Sequence, residues 1–523
     1  MNWKRPLALS LAALTLGGAL TACGTPTAST PEETSAPAAE VQALAATSQA
    51  LTAPKYVFLF IGDGMSYPQI QSTSDYLGAL NDEDYWQAQP SLDDNQGAIL
   101  DGPEYLNFMN FEGVGTAVTF DSNSFAPDSA STATSIATGH KTYSGSINVD
   151  ETGTVEYETI AEQLKAQKGY EIGVITSVNL NHATPAAFYA HQASRSSYYE
   201  IGLEMVESDF DYFAGGGLLD PTGSEGDQTD LYQLAQEAGY TVARTYAEAD
   251  AISADTDKAI IIEENLADSD AIPYEIDRTD DMWSLADYVE KGIEVLDNDT
   301  GFFMMCEGGK IDWACHANDA GSSIHDTQAL ADAVQVAIDF AAEHPDETLI
   351  LVTGDHETGG LTIGFAGTDY DTYLDLLENQ KISYAKFDSD YVASYKENKT
   401  PFEDVLSDIE ELFGLKAQGA ADDKLVLTEY EMEQLRAAYE KSVNGTAASQ
   451  YEQEEYVLYG TYEPLSVTIT HIINNKSGIS FTSYSHTGLP VAVLAEGVGA
   501  ENFSGYYDNT QIYEKMADLL NIA

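Results

Sequence analysis

The chain has 523 residues, of which 43% are hydrophobic, and its 86 acidic residues outnumber 22 basic ones, for a formal net charge of −64. This balance excludes nucleic-acid binding through a basic face and means that an anionic ligand needs a local positive site. The acidity suits salty or cation-rich surroundings or is simply a solvated surface. The length fits one large domain that carries insertions, which we favour, or two domains.

Residues 1–22 are typical of an export signal, with a short basic segment before an apolar run. Cys23 follows small residues and precedes a tether rich in Ser, Thr, Pro and Ala, residues 23–52. We therefore expect an exported protein that a lipid on Cys23 anchors to a bacterial membrane, on its periplasmic or cell-surface side. The alternatives are an ordinary cleaved signal peptide that contains a Cys and a membrane helix, for which the run is short.

Short apolar runs, each ending in a polar cluster, recur along residues 53–523 and predict buried strands. The predicted strands are 56–61, 172–175, 302–305 and 348–352, and helical patterns are found at 159–167, 283–296 and 324–342. This alternation predicts an α/β fold with a mainly parallel central sheet flanked by helices. Functional groups collect beyond the carboxyl ends of the strands in such sheets.

Residues 367–479 differ in character from the rest, because they are acidic and rich in Tyr. Helical patterns lie at 402–413 and 429–441. The segment separates the pair Asp355 and His356 from His486 in the sequence. We interpret it as an inserted cap or crown beside the site.

Asp and His residues cluster where the predicted strands end. They are Asp63, Asp312 with His316, Asp355 with His356, and His486, which we place after a further buried strand. Asp312 and His316 are four residues apart, so one helical turn directs both toward a shared ion. Imidazole with carboxylate suits Zn²⁺, and oxygen-only positions suit Mg²⁺. Each residue alone is more simply a cap or a core residue, so the prediction depends on their joint placement.

Ser129 is the candidate nucleophile, in a run of small residues that begins like a helix and ends at Gly139. A helix N-terminus favours anions and would stabilise an alkoxide. The alternative is a plain Ser- and Thr-rich helix start with Asp128 as its cap. Of the other cysteines, Cys306 is predicted to be a core residue and Cys315 a bystander near a metal, since two are too few for a disulfide framework.

With these motifs in this order, the sequence from about residue 56 to its end resembles the alkaline phosphatase family. The family's bridging Asp matches Asp63, and its Asp-Ser-Ala nucleophile segment matches residues 128–130. The other matches are Thr184 and Glu307 for magnesium, Asp312, His316 and His486 for one zinc, Asp355 and His356 for the other, and Arg195 for the phosphate.

The resemblance implies hydrolysis of small phosphate monoesters through a phosphoserine on Ser129, assisted by two zinc ions and one magnesium ion. Arg195 would hold two phosphate oxygens, and Asp128 lies in the same substrate-binding set. Members of the family are often homodimers. The alternatives are a phosphodiesterase or sulfatase of the same superfamily, and a surface lipoprotein that binds metal or phosphate without turnover. Arg195 favours a monoester, because a diester has one fewer free oxygen.

Two positions that vary within the family are His182 and Trp313 here, where the best-known bacterial members carry Asp and Lys. His182 is therefore a candidate ligand of the third metal. Its imidazole would either bind a zinc ion directly at this site or weaken the binding of magnesium there through altered contacts with the ligands. Trp313 removes a positive charge beside the phosphate, which we expect to speed the release of the product.

Overall fold

The computed structural model describes residues 53–82, 85, 100–445 and 452–522. The predicted signal peptide, the lipid on Cys23 and the tether lie outside these residues and stay predictions. Within the described residues, no helix combines the length and the apolar character that crossing a membrane requires.

The described residues form fourteen strands, ten of which make one central sheet. The strands are β1 Tyr56–Gly62, β2 Gly113–Val118, β3 Glu171–Asn179, β4 Tyr212–Gly216, β5 Thr241–Ala243, β6 Ala259–Ile262, β7 Phe302–Gly308, β8 Thr348–Gly354, β9 Glu357–Thr358, β10 Thr362–Ile363, β11 Ile479–Ser480, β12 His486–Thr487, β13 Val491–Gly497 and β14 Gly505–Asp508. The order in the sheet is β14-β2-β13-β8-β1-β7-β3-β4-β6-β5. Every neighbouring pair is parallel except those of β13, which runs antiparallel to both β2 and β8.

Helices connect and follow the strands. They are α1 Tyr67–Asn81, α2 Ser129–Thr138, α3 Ile160–Lys168, α4 Ala183–Ala186, α5 Tyr198–Glu207, α6 Leu231–Glu237, α7 Tyr246–Asp250, α8 Leu285–Leu296, α9 Lys310–His316, α10 Ala320–Glu343, α11 Tyr384–Phe387, α12 Ala393–Asn398, α13 Phe402–Phe413, α14 Glu429–Ser442, α15 Glu452–Tyr459, α16 Pro464–Ser477 and α17 Thr510–Leu520. The predicted helix at 159–167 begins one residue later, because Thr159 caps it by accepting a hydrogen bond from the backbone N–H of Glu162.

Both faces of the sheet are buried. Alternate residues of β1 belong to two cores, one containing Val57, Leu59 and Ile61 and the other Tyr56, Phe58 and Phe60. Helices α2, α3 and α17 contribute to the first core, and α8 and α10 to the second. Burial on both faces explains the continuous apolar runs of the central strands and confirms the predicted α/β class. Cys306 lies in the second core, as predicted, and both Cys306 and Cys315 are buried and free.

The segment predicted as an insertion is helical and adds no strand to the central sheet over 367–445 and 452–479. Its helices share a hydrophobic core of their own, which includes Phe387, Phe413 and Ile473. Tyr76 of α1 and Ile324 of α10 also belong to this core, so the segment packs against the main fold. Its role as a cap stays a prediction.

Candidate active site

Three carboxylates meet where neighbouring parallel strands end. Asp63 follows β1, Asp355 follows β8, and Glu307 lies near the end of β7, opposite Ile61 of β1. Because β7, β1 and β8 are neighbours in the sheet, their carboxyl ends bring these side chains together.

His486 reaches the same edge by a different route. The prediction that it follows a buried strand of the sheet is wrong, because it lies in β12, which pairs with β9, and precedes β13. β13 runs antiparallel to β8, with Val493 opposite Thr353, so the amino end of β13 lies where β8 ends. His486, which precedes an antiparallel strand, therefore lies at the same edge of the sheet as Asp63 and Asp355, which follow parallel strands.

Ser129 is the first residue of α2, and Asp128 caps this helix, as the alternative interpretation predicts. The role of Ser129 as the nucleophile stays a prediction. The Asp128 side chain caps the helix by accepting a hydrogen bond from the Ser131 backbone N–H at 3.1 Å, and Gly139 ends the helix at φ 75°. Ser129 is 2% exposed, and its Oγ lies 3.1 Å from His356 Nε2. The hydroxyl is therefore held against an imidazole at a helix N-terminus.

One cluster of metal-ligand type consists of Asp63, Asp355 and His356, all buried. His356 Nε2 lies 3.3 Å from Asp63 Oδ1 and 3.3 Å from Asp355 Oδ2. The backbone N–H of Gly64 donates to Asp355 Oδ1 at 3.1 Å. Gly64 has φ +70°, and a Cβ there would lie 3.0 Å from Asp312 Oδ1, so a glycine suits this close approach.

A second cluster contains Asp312 and His316, which α9 presents one turn apart as predicted, together with His486. Asp312 Oδ2 lies 3.3 Å from His316 Nε2, and Asp312 Oδ1 lies 3.6 Å from His486 Nε2. The ring of His356 stacks on that of His486 with centroids 3.7 Å apart, and His356 also lies within ligand range of Asp312 and His486. The two clusters are thus adjacent.

The two imidazoles of the second cluster face each other through their Nε2 atoms. Burial opposes protonation of His316, but the charge of Asp312 raises the pKa of this ring to about 9. His316 Nδ1 lies 2.7 Å from the carbonyl oxygen of Tyr484, and His486 Nδ1 lies 2.6 Å from that of Pro127. A carbonyl only accepts, so each Nδ1 carries the proton and each Nε2 of a neutral ring offers a lone pair. The two Nε2 atoms are 3.0 Å apart, an arrangement that a shared cation stabilises.

Thr184 and Glu307 belong to a third group, which also includes Asp63 of the first cluster. Thr184 Oγ1 is 3.5 Å from Asp63 Oδ2, and Thr176 Oγ1 donates to Glu307 Oε2. The remaining oxygens, Asp63 Oδ1 and Glu307 Oε1, are buried without a hydrogen-bond partner among the described residues. Asp63 is therefore shared by the first cluster and by an all-oxygen set that contains Thr184 and Glu307.

The carboxylates of these sets repel one another in a buried environment. Burial and the neighbouring Asp355 raise the pKa of Asp63 well above its usual range. Burial and the charge of Asp312 raise the pKa of Asp355 to about 7, and burial raises that of Glu307 to about 8. Three such carboxylates, with facing imidazoles and unpartnered oxygens, fit divalent cations: an N/O set suits Zn²⁺ and an all-oxygen set suits Mg²⁺.

Arg195 is fixed from two sides. Its NH1 donates to Asp128 Oδ2 at 2.9 Å, and its NH2 lies 3.3 Å from His182 Nε2. Burial alone would raise the pKa of Asp128. The charge of Arg195 and the hydrogen bond from the backbone N–H of Gly145 outweigh burial and hold this pKa below its ordinary value. Each terminal nitrogen of the guanidinium retains a second N–H, so the group can still grip two oxygens of an anion.

His182 lies against Arg195 in this structure. Burial and the charge of Arg195 lower the pKa of His182 to about 3, so the ring is neutral. Since a guanidinium only donates, Nε2 accepts, and the ring proton is on Nδ1, which has no hydrogen-bond partner among the described side chains. His182 is in neither ligand cluster, and its assignment to a metal stays a prediction.

A cavity of about 310 Å³ opens onto these groups. Its lining residues are Ser129, His182, Arg195, Asp268, Ser269, Asp312, Trp313, His316, Tyr384, Tyr462 and His486. Trp313 meets the ring of His182 edge-on, with centroids 5.9 Å apart. A larger cavity of about 650 Å³, lined by residues such as Tyr373, Lys424 and Glu431, lies apart from every predicted site residue. We assign the site to the smaller cavity, because it unites hydroxyl, imidazole and guanidinium groups.

Glu357 is a functional neighbour that the sequence analysis missed. It is fully buried and accepts hydrogen bonds from Gln69 Nε2 at 2.9 Å, from the backbone N–H of Leu361 at 3.1 Å and from that of Gly360 at 3.2 Å. Thr487 Oγ1 also donates to it. Glu357 therefore joins the loop of His356 to the strand of His486.

We expect Glu357→Gln to lower the free energy of unfolding by about 1–3 kcal/mol, because an amide leaves at least one of these buried donors unpaired. Urea denaturation measures the free energy of unfolding. The rate of aryl phosphate hydrolysis should also fall, because His356 and His486 shift in position. The exposed Glu378→Gln is the matched control and should stay within about 0.5 kcal/mol of the parent. Equal stability of both variants would contradict the conclusion that the hydrogen bonds of Glu357 hold the loop of His356 and the strand of His486 together.

Comparisons with known proteins identify the family of this chain. A family model described as alkaline phosphatase matches residues 54–522. Alkaline phosphatase 3 of Bacillus subtilis (strain 168) is 30% identical over 469 residues, which cover 88% of this chain and 87% of that protein. The structure of a cold-active alkaline phosphatase from the psychrophile Shewanella sp. is 29% identical with a TM-score of 0.68, covering 89% of this chain and 99% of that one. A histidine-to-glutamate variant of the alkaline phosphatase from the Antarctic bacterium TAB5, solved with Mg bound, is 25% identical with a TM-score of 0.58, covering 90% of this chain and 99% of that one.

Proposed function

The chain belongs to the alkaline phosphatase family and is a phosphomonoesterase, and we propose that it works through a phosphoserine formed on Ser129. The observation that carries the proposal is the position of the Ser129 hydroxyl, 3.1 Å from His356 Nε2 at the amino end of α2 and inside the same cavity as Arg195. The hydroxyl attacks phosphorus, the ester oxygen leaves with the alcohol, and water then hydrolyses the phosphoserine to free phosphate.

We propose that Asp63, Asp355 and His356 hold one zinc ion, that Asp312, His316 and His486 hold a second, and that Asp63, Thr184 and Glu307 hold magnesium. When bound, these ions supply Lewis-acid stabilisation of the attacking and leaving oxygens. The chain's own groups orient the reaction: α2 presents the Ser129 hydroxyl, and backbone carbonyls fix the tautomers of His316 and His486.

In this proposal Arg195 holds two non-bridging oxygens of the phosphate, and Asp128 and His182 keep its guanidinium in place. Trp313 lines the cavity beside it without adding a charge. Arg195 therefore supplies a local positive group that offsets the general charge of −64.

We expect Arg195→Lys to lower kcat/KM by roughly ten- to a hundredfold, because lysine cannot form the forked pair of charged hydrogen bonds, each worth about 1.5–3 kcal/mol. Inhibition by inorganic phosphate should weaken in parallel. Arg278→Lys is the matched control, since Arg278 pairs with Glu275 outside the catalytic cavity. Unchanged phosphate inhibition in Arg195→Lys would contradict the assigned grip.

The experiment that tests the covalent step is an acid quench during hydrolysis of p-nitrophenyl phosphate, followed by mass spectrometry of the peptide that contains Ser129. The proposal expects a phosphate on Ser129. Fast turnover with no label on this peptide at any quench time would instead indicate direct attack by water.

We further propose export and a lipid on Cys23, on the strength of the apolar run and the small residues that precede it. The homodimer stays a prediction of the family resemblance.

A further inference from the structure

The lining of the catalytic cavity contains two chemically different sets of side chains. One set, which we call the phosphate set, consists of Ser129, Arg195, Asp312 and the histidines. The other set, which we call the alcohol wall, consists of Asp268, Ser269, Trp313, Tyr384 and Tyr462. We propose that the alcohol wall binds an ammonium group on the alcohol, so that preferred substrates are phosphate monoesters of amino alcohols, including quaternary ones. The inference rests on the proposed function and adds a substrate class to it.

Three aromatic rings form most of this wall. Tyr384 and Tyr462 meet edge to face, with centroids 5.7 Å apart and planes at 85°, and Trp313 packs in the same small cluster. The face of an aromatic ring is electronegative, and it attracts a cation that lies within about 6 Å of its centroid. Rings in such a cluster are suited to an alkylated ammonium group, which is both apolar and charged.

A lysine of this chain already contacts one of these rings, that of Trp313, in that way. Lys310 is fully buried, with its Nζ 4.1 Å from the ring centroid of Tyr274 and 4.6 Å from that of Trp313. It also donates to Asp268 Oδ1 at 2.6 Å. Lys310 does not line the cavity, whereas Asp268 does, so the carboxylate has its second oxygen to offer to a ligand.

The backbone around Asp268 is held in an unusual conformation. Ser269 and Asp270 have φ of 54° and 59°, a left-handed region that residues other than glycine seldom adopt. Asn179 Nδ2 donates to both carbonyl oxygens, at 2.9 Å to Ser269 and 3.2 Å to Asp270. The side chain of a neighbouring strand thus fixes the carboxylate at the cavity wall.

The charges of the cavity favour a zwitterionic ester. Among its lining residues Arg195 is the one permanent cation, and it belongs to the phosphate set. A second anionic group on the alcohol would face Asp268 and the general charge of −64. An ammonium group instead faces the carboxylate and the rings, and it reduces the net charge of the substrate as it enters.

The test compares choline phosphate with 3,3-dimethylbutyl phosphate, which has the same shape with carbon in place of the charged nitrogen. We expect kcat/KM for choline phosphate to be about tenfold higher. The ratio of the two kcat/KM values should fall toward one in Tyr462→Leu, because this change keeps an apolar side chain but removes an aromatic ring. The matched control is Tyr430→Leu, because Tyr430 is exposed on α14 and does not line the cavity, and it should keep the preference.

Hydrolysis of p-nitrophenyl phosphate separates the two levels of the proposal. Equal kcat/KM for the matched pair in a protein that hydrolyses the aryl ester overturns the ammonium subsite alone. No turnover of any of the three esters overturns the proposed function and the subsite with it. The ratio in the unaltered protein decides the question even if Tyr462→Leu does not fold, and a preference that survives in folded Tyr462→Leu excludes the aromatic wall as its source.

Discussion

Ser129→Ala is expected to lower kcat for p-nitrophenyl phosphate by at least about 10⁴-fold, because the proposed reaction loses its nucleophile. The change removes one oxygen and leaves the backbone of α2 intact, since alanine is a good helix former at this position. We therefore expect the thermal midpoint and the bound metal to stay as in the parent protein. Steady-state kinetics, calorimetry and metal analysis on the same preparation measure all three.

The control for this variant is Ser135→Ala in the same helix. Ser135 is also buried, but its Oγ donates to the carbonyl of Ser131 at 3.0 Å and does not line the cavity. Ser135→Ala should keep nearly full activity. Substantial turnover by folded Ser129→Ala, with Ser135→Ala unimpaired, would exclude the phosphoserine route.

Removal of divalent cations is expected to abolish turnover, and added Zn²⁺ with Mg²⁺ should restore it. The physical reason is the set of buried carboxylates, which Arg195 and the histidines alone do not balance. Dialysis against a chelator, with metal content followed by mass spectrometry, provides the measurement. The control is the same chelator saturated with zinc, and full activity in a protein stripped of metal would contradict the proposed sites.

The stripped protein should also show a pH dependence of stability that the loaded protein lacks. Folding raises the pKa of Asp355 to about 7 and that of Glu307 to about 8, so the folded state binds these protons more tightly than the unfolded chain. Their contribution to stability is therefore present below a pH of about 4 and is lost as the pH rises to about 8. Thermal midpoints of the stripped protein between these limits should fall with rising pH, and a flat or rising series would contradict the unbalanced cluster.

The parts of this site that follow from local spacing could be predicted from the sequence. Asp312 and His316 are one helical turn apart in any helix, and Ser129 follows a capping Asp at the start of a run of small residues. Central strands such as β1 are apolar along their whole length, so their polar ends stand out in the sequence.

The parts that depend on long-range pairing could not be predicted in this way. Glu357 follows His356 directly, yet its partners Gln69 and Thr487 lie 288 and 130 residues away. The alcohol wall is equally hidden, because Asp268 and Tyr462 come from separate segments of the chain with no shared spacing. The direction of β13 also leaves no mark in the sequence, since parallel and antiparallel strands buried on both faces have the same apolar composition.

The place of β13 in the sheet has a consequence for how the chain folds during synthesis. β13 lies between β8 and β2, so β2 joins the parallel strands only through a strand that is made after all of them. The sheet therefore stays divided until residues 491–497 emerge, and pairing over such a distance is slow because a long loop must first close. His486 precedes β13 directly, so the ligand set is completed in the same late step. A chain released early would expose the unpaired edge of β8 and hold an unfinished site.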